Sequence, residues 1–415
     1  MARGIKTVNE LLTRYLSEVE REVKENILPF WMDHVMDRER GGFYNSVTNN
    51  LGIDKQAHKG CILNSRILWT YSAAYRKWKK ESFLTTAKWA YDFLARFFWD
   101  REYSGLYWMV DFEGSVLNDR KQLYNIAFGI YGLCEYYLAG GEGESLEKAV
   151  ELYRLMEKYG RDNKNGGYFE AFTRDWRPVE DMRLSPRDMN EKKSMNTHLH
   201  LLEAYTALLR AWKDEGLRTS LRELLETVCD HIIDGDSGHF KLFFNEEWDS
   251  RGDCSSFGHD IEGSWLLYEA ACALGERELT DRIRGIAVRM AESVLKEGVD
   301  KKHGGLYNEE EEGMVKDTSK PWWPQAEAMV GFLNAYQLTG EERYLEASYG
   351  IWEFVRHHLV DKIFGEWFWR VSEEGKPDMG MPKVEPWKCP YHNGRACLEV
   401  MSRIERLLGR EGRGT

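Results

Sequence analysis

The sequence predicts an all-α (α/α)6 barrel: six inner and six outer helices in a closed double ring, with short β-hairpin-like segments in the connecting turns. Two observations carry that expectation. A turn motif comes round six times along the 415 residues, and between its copies uniformly apolar helices alternate with amphipathic ones. Self-similarity at a fixed period marks a repeat architecture, and it governs the reading of any site within it.

The motif first appears as Asp37-Arg-Glu-Arg-Gly41-Gly42-Phe43: an Asp, three variable residues, a small residue, one more, then a large apolar one. It returns at Asp100, Asp162, Asp234, Asp300 and Asp361, with successive Asp positions 61 to 72 residues apart. An Asp side chain caps a turn and Gly supplies positive φ, so each copy is expected to be a tight turn entering a short strand.

Inner helices are expected near 60–77, 122–138, 195–212, 259–274, 323–338 and 392–408; stretches such as 124–138, 263–274 and 326–338 carry little charge on any face. Outer helices near 82–98, 144–159, 217–233, 278–297 and 342–358 carry one apolar stripe each; Leu217, Leu221, Leu224, Leu225 and Val228 form such a stripe. The N-terminal stretch 7–27 supplies the sixth outer helix from the opposite terminus and closes the ring. Residues 1–415 are therefore expected to form one domain; an open solenoid of helix pairs is the alternative.

Composition narrows the function. Fifty-seven Lys and Arg against 69 Asp and Glu leave a net charge of −12, which offers no basic footprint for nucleic acid or anionic lipid. No run of 18 apolar residues suggests a membrane span, and the N-terminal MARGIKTVNELL has no apolar run of a signal peptide. Seven cysteines without a CxxC pair read as reduced thiols, so a cytoplasmic location is expected. The 16 Trp, 21 Tyr and 18 Phe suit stacking on sugars as well as ordinary packing.

In a double ring the inner-helix starts and their preceding loops line one mouth of the cavity, so polar residues there are the functional candidates. Loop 170–194 carries Asp188 and is either a lid over that mouth or a passive connection. Arg66 sits in the apolar run Cys61–Trp69 and requires an anionic partner, a neighbouring carboxylate or an oxyanion of a substrate. Tyr124 opens the second inner helix as either a core tyrosine or a contact. In Met195-Asn196-Thr197-His198-Leu199-His200 the two histidines do not share a helix face, whereas Asn196 and His200, four apart, do. With no HExxH or comparable cluster, no metal is expected.

His259 and Glu262 are i,i+3 neighbours at the fourth inner-helix start, so the carboxylate is expected to orient the imidazole. The fifth offers Trp322 and Trp323, a stiff aromatic wall bracketed by prolines, followed by Glu327. The sixth adds Trp387 and His392, the latter aimed by Pro390 and Gly394. A glycosidase needs two carboxylates, whereas these positions are richest in histidine, with one Arg. Two imidazoles suit removal and return of a proton at a carbon next to a carbonyl, and Arg66 suits the resulting enediolate. That is sugar epimerase or isomerase chemistry, and it requires no redox cofactor. Neither a P-loop nor a dinucleotide fingerprint is present; Gly140-Gly141-Glu142-Gly143 lacks the Lys-Ser/Thr.

Ser65-Arg66, Asn196-Thr-His-Leu-His200-Leu-Leu-Glu-Ala-Tyr205 and Gly258-His259-Asp-Ile-Glu262 resemble the N-acylglucosamine 2-epimerase superfamily. Trp322-Trp323-Pro-Gln-Ala-Glu327 and Trp387-Lys-Cys-Pro-Tyr-His392-Asn-Gly-Arg395 resemble its cellobiose 2-epimerase branch. The resemblance implies C2 epimerisation of the reducing-end glucose of β-1,4-linked disaccharides, without cofactor or metal. It implies His259 and His392 as the acid/base pair, His200 and Arg66 at the reacting sugar, and Glu262 as the histidine-orienting carboxylate. Tyr124, Asp188 and Asn196 would be polar contacts, and Trp322 and Trp387 stacking platforms; Trp323 and Glu327 are counted with the substrate-binding set. The only expected partner is the small-molecule substrate, for a monomer or weak homodimer. Competing readings are an N-acylglucosamine 2-epimerase, a mannose-type isomerase, an inverting glycosidase and a non-catalytic sugar-binding protein.

Overall fold

The computed structural model describes residues 7–410. The basic N-terminal residues 1–6 and the last five residues of the expected 1–415 domain lie outside the described residues.

Among the described residues, six inner helices form the expected ring: α2 (Cys61–Trp78), α4 (Leu123–Leu138), α6 (Met195–Ala211), α8 (Phe257–Leu274), α10 (Trp322–Thr339) and α12 (Tyr391–Leu407). Each packs on the next, and α12 packs back on α2. The outer ring is α1 (Val8–Arg21), α3 (Glu81–Phe93), α5 (Gly143–Leu155), α7 (Glu215–Thr227), α9 (Arg277–Glu297) and α11 (Glu342–Phe354). Helix α1 packs on α12, so the N-terminus closes the barrel and the open solenoid is excluded. All these outer helices except α9 run on into a wider π-helical turn, as at Leu94–Phe98 and Val355–Leu359. No helix of the described residues is long and apolar enough to cross a membrane.

Inner helices approach closely where glycine permits it. A Cβ on Gly132 of α4 would lie 2.6 Å from the Ser65 carbonyl oxygen of α2, and one on Gly331 of α10 would lie 2.6 Å from that of Ile261. Such contacts draw the helix backbones together, and this spacing sets the size of the central cavity.

Each motif copy is a closed turn. The Asp37 Oδ1 accepts hydrogen bonds from the Glu39 and Arg40 N–H groups, and the same pattern recurs at the other five. Met36 then bridges Phe43 in antiparallel register, as Trp99 does Leu106 and Val360 does Trp367. The short strand ahead of each of the first five inner helices pairs with the strand after the next turn, for example Lys59–Gly60 with Met109–Val110 and Lys320–Pro321 with Arg370–Val371. These small sheets gather at the end of the barrel where the inner helices begin, and they carry the loops that frame its mouth.

A buried ion pair repeats with the turn and was not anticipated from the sequence. Lys59, Lys121, Lys193, Lys320 and Lys383 reach the second carboxylate oxygen of Asp37, Asp100, Asp162, Asp300 and Asp361. In the fourth repeat Ser255 stands at the corresponding place, and Asp234 meets only the more exposed Lys241 at 3.5 Å. Lys59 and Asp37 have side-chain exposures of 1% and 0%. Lys59→Met is therefore expected to lower stability by about 3 kcal/mol, because it strands a buried carboxylate. The double variant Lys59→Met/Asp37→Asn should recover part of that loss. Urea denaturation of the three proteins measures both effects.

Candidate active site

The inner-helix starts enclose a cavity of about 450 Å³. It is built from the first two turns of α2, α4, α6, α8, α10 and α12, which bring Arg66, Tyr124, His200, His259, Trp322 and His392 to one space. Asn196, Glu262, Trp323 and Trp387 also border it, as does Asp188 from the 173–192 loop lying across the mouth. A second cavity of about 620 Å³ adjoins, sharing Asp188, Asn196, His259 and Trp323 with the first.

Arg66 is 2% exposed, yet no carboxylate pairs with it among the described residues. Its Nη2 donates to the Tyr124 hydroxyl at 2.7 Å, Nη1 donates to the Trp387 carbonyl at 3.4 Å, and Nε has no partner. The guanidinium lies 4.1 Å from the centre of the Phe128 ring, a cation–π contact. Of the two partners the sequence allowed, the neighbouring carboxylate is absent. A buried cation left with spare donors at a cavity wall suits an oxyanion.

The three imidazoles each have Nδ1 engaged by a neighbour, which leaves Nε2 as the nitrogen open to a ligand. His200 Nδ1 pairs with Glu203 Oε2 at 2.9 Å, His392 Nδ1 with Glu327 Oε1 at 2.6 Å, and His259 Nδ1 with Ser256 Oγ at 2.9 Å. Burial lowers the basicity of all three: His259 falls to about 3, and His392 is held well below its ordinary value by burial and by Arg66 and Arg395. Burial thus favours the neutral form that a proton-abstracting base needs. His198 points away from the cavity, accepting the Tyr168 N–H on Nε2 at 2.9 Å, as the helix-face argument required.

Two expectations need correction. Glu262 does not orient His259. The imidazole turns back to Ser256, three residues earlier in the chain, while Glu262 Oε1 accepts from Arg395 Nη2 at 2.6 Å. Glu327 is not at the cavity surface but beneath it, fully buried, holding His392 and accepting from Trp265 and Arg395. The i,i+3 spacing places two side chains on one face without deciding which neighbour each prefers. Sequence reasoning also missed Glu203 and Arg395. Glu203 stands three residues after His200, the very spacing that had drawn attention to Glu262.

Beneath the histidines, Arg395 links Glu203, Glu262 and Glu327. Glu262, Glu327 and His392 bring ligand atoms within 4.8 Å of one another, a spacing a metal could use. The donor set does not fit one: Arg395 Nη2 already donates to both carboxylates and its charge would repel a cation. At Asp300, His303 and Glu373 the Asp carboxylate is likewise taken, by Lys320 at 2.7 Å.

Residues 41–395 match the family model described as N-acylglucosamine 2-epimerase (GlcNAc 2-epimerase). The chain belongs to the N-acylglucosamine 2-epimerase family. Among the family's members, a cellobiose 2-epimerase of Bacteroides fragilis is 42% identical over 384 residues, covering 92% of this chain and 98% of that protein. One from Dictyoglomus turgidum is 41% identical over 389 residues, covering 94% and 98%. The solved cellobiose 2-epimerase of Spirochaeta thermophila superposes with a TM-score of 0.91 at 40% identity, covering 97% of this chain and all of that one.

Proposed function

We propose that this epimerase-family protein is a cellobiose 2-epimerase, converting the reducing-end glucose of cellobiose and related β-1,4-disaccharides to mannose. The observation that carries the reading is the set of neutral imidazoles around one buried, carboxylate-free guanidinium. The similarity to cellobiose 2-epimerases over nearly the whole chain and the second cavity, roomy enough for another sugar ring, support the disaccharide. The pyranose ring opens in the cavity. His259 or His392 then takes the C2 proton on Nε2, giving a cis-enediolate whose oxygens lie against Arg66. Rotation about C2–C3 presents the other face of C2; the second of the two histidines takes a proton from solvent on Nε2 and passes it to C2, and the first releases its proton to solvent, so both end neutral. Trp322 and Trp387 stack on the sugar rings, while Tyr124, Asn196, Asp188 and His200 meet hydroxyl groups. The sequence is redox-neutral, since the proton removed is replaced by a proton, so no redox cofactor takes part.

Cellobiose incubated with the purified protein in D2O is expected to yield glucosyl-mannose carrying deuterium at C2, read by proton NMR. An unchanged spectrum would defeat the cellobiose assignment and turn attention to N-acetylglucosamine, N-acetylmannosamine and free mannose. Release of free glucose would replace it with hydrolysis.

A further inference from the structure

The floor of the cavity has more acid than it has cation. Glu203 of α6, Glu262 of α8 and Glu327 of α10 all converge on Arg395 of α12, and none of the four is more than 4% exposed. Among the described residues Arg66 of α2 is the other buried cation lining the histidine cavity, while on the far side of Glu203 the cations Arg210 and Arg403 are matched by the acids Glu269 and Glu399. Tyr124 and Tyr391 are neutral phenols, and burial favours the uncharged form of His200, His259 and His392. Three ionised carboxylates would leave one negative charge uncompensated in a buried place, which is costly.

The hydrogen bonds say which carboxylate gives way. Glu203 receives three donors: Arg395, the Tyr391 hydroxyl and His200 Nδ1. Burial would raise its pKa, but Arg395 and His200 bring it to about 2. Glu327 also receives three, from Arg395, His392 Nδ1 and Trp265 Nε1. Glu262 receives one, from Arg395 to Oε1, and its buried Oε2 has no partner. A carboxylate is kept ionised by the hydrogen bonds it accepts, and Glu262 has the fewest. Its side chain also borders the cavity.

We propose that Glu262 is held as a neutral carboxylic acid whose Oε2–H donates a hydrogen bond to the sugar oxygen that becomes anionic in the enediolate, alongside Arg66. The idea rests on the epimerase reading above for the identity of that oxygen. No proton is transferred: it stays on Oε2 and the bond strengthens as charge grows on the sugar. A carboxyl group kept neutral by a water-poor site serves as an oxyanion donor on the same physical grounds as a phenol or an amide. Burial and the neighbouring Glu327 charge, which together push the Glu262 pKa well above the ordinary carboxylate range, agree with the donor count.

Glu262→Gln keeps an acceptor for Arg395 and a donor for the sugar, whereas Glu262→Met keeps neither. The Gln variant is expected to retain kcat on cellobiose within about tenfold, and the Met variant to lose roughly 10²- to 10³-fold, the usual cost of one oxyanion donor. If Glu262 works as an anion, Gln falls as far as Met, and the proposal is overturned. A second measurement needs no turnover. The infrared spectrum of 13C-glutamate-labelled protein at pH 7 should contain a protonated-carboxyl C=O band that disappears in Glu262→Gln. Absence of that band overturns the proposal even in a fully active enzyme. Its presence in a protein that leaves cellobiose untouched would uphold the neutral acid and defeat the substrate assignment instead.

Discussion

His392→Ala is expected to lower the rate of C2 proton exchange on cellobiose by about 10³-fold, within the range that a positioned acid/base group contributes. The substitution leaves Glu327 bonded to Arg395 and Trp265, so the floor of the cavity survives and the loss belongs to the chemistry. His259→Ala should do the same, with Ser256 returning to solvent or a water. Each variant removes one side of a two-sided proton exchange, so each stops net epimerisation. The pH dependence follows from the same environment. Burial, Arg66 and Arg395 depress the His392 pKa, so the neutral base persists through the neutral range. The parent enzyme should therefore show no fall in kcat as pH drops through about 6.5, where an unperturbed histidine titrates. Initial rates in D2O, followed with the circular dichroism of each variant, test both statements. Two active variants would remove the histidine pair from the mechanism.

The barrel was legible because its signals are local. Six copies of one turn and a change of apolar pattern between adjacent helices placed every inner helix within a few residues of its observed start, as at 122–138 against Leu123–Leu138. The cavity wall followed from the same logic, since an inner-helix start that carries Arg66 or His392 among apolar neighbours has few other places to put it. Pairings across the ring were not legible. Lys59 lies 22 residues beyond Asp37, and Lys193 lies 31 beyond Asp162, a variable gap that hides the partner. Glu327 sits 65 residues from the His392 it orients, on a different helix. Helical spacing offered Glu262 to His259, but a serine hydroxyl is a sufficient partner for a neutral imidazole, while a buried guanidinium demands carboxylates. Arg395 therefore claimed Glu262, and a rule confined to one helix had no means of seeing it.

Arg395→Met should be the most destabilising single change in the barrel floor, by about 3–5 kcal/mol, because it withdraws the shared cation from several buried acids at once. Methionine fills much of the volume, so the effect is one of charge and not of a cavity. The pH response distinguishes this account from lost packing. In the parent, the Glu203 pKa is depressed to about 2, so its contribution is present above the ordinary glutamate value and fades as pH falls toward 2. Without Arg395, burial dominates: the Glu203 pKa rises above that of the unfolded chain, the Glu327 and Glu262 pKa values, raised by burial already in the parent, rise further, and the folded state binds the extra protons. Its stability must then fall as pH rises through the neutral range, and recover on mild acidification. The stability deficit of the variant against the parent, read from urea midpoints, should consequently be larger at pH 8 than at pH 5. A deficit equal at the two pH values would mean that the guanidinium acts through its shape alone. Glu203 and Glu327 hold His200 and His392, so the variant should also lose most of its activity at pH 8 before it unfolds. The charge balance of the floor thus fixes both the stability of the ring and the aim of its bases.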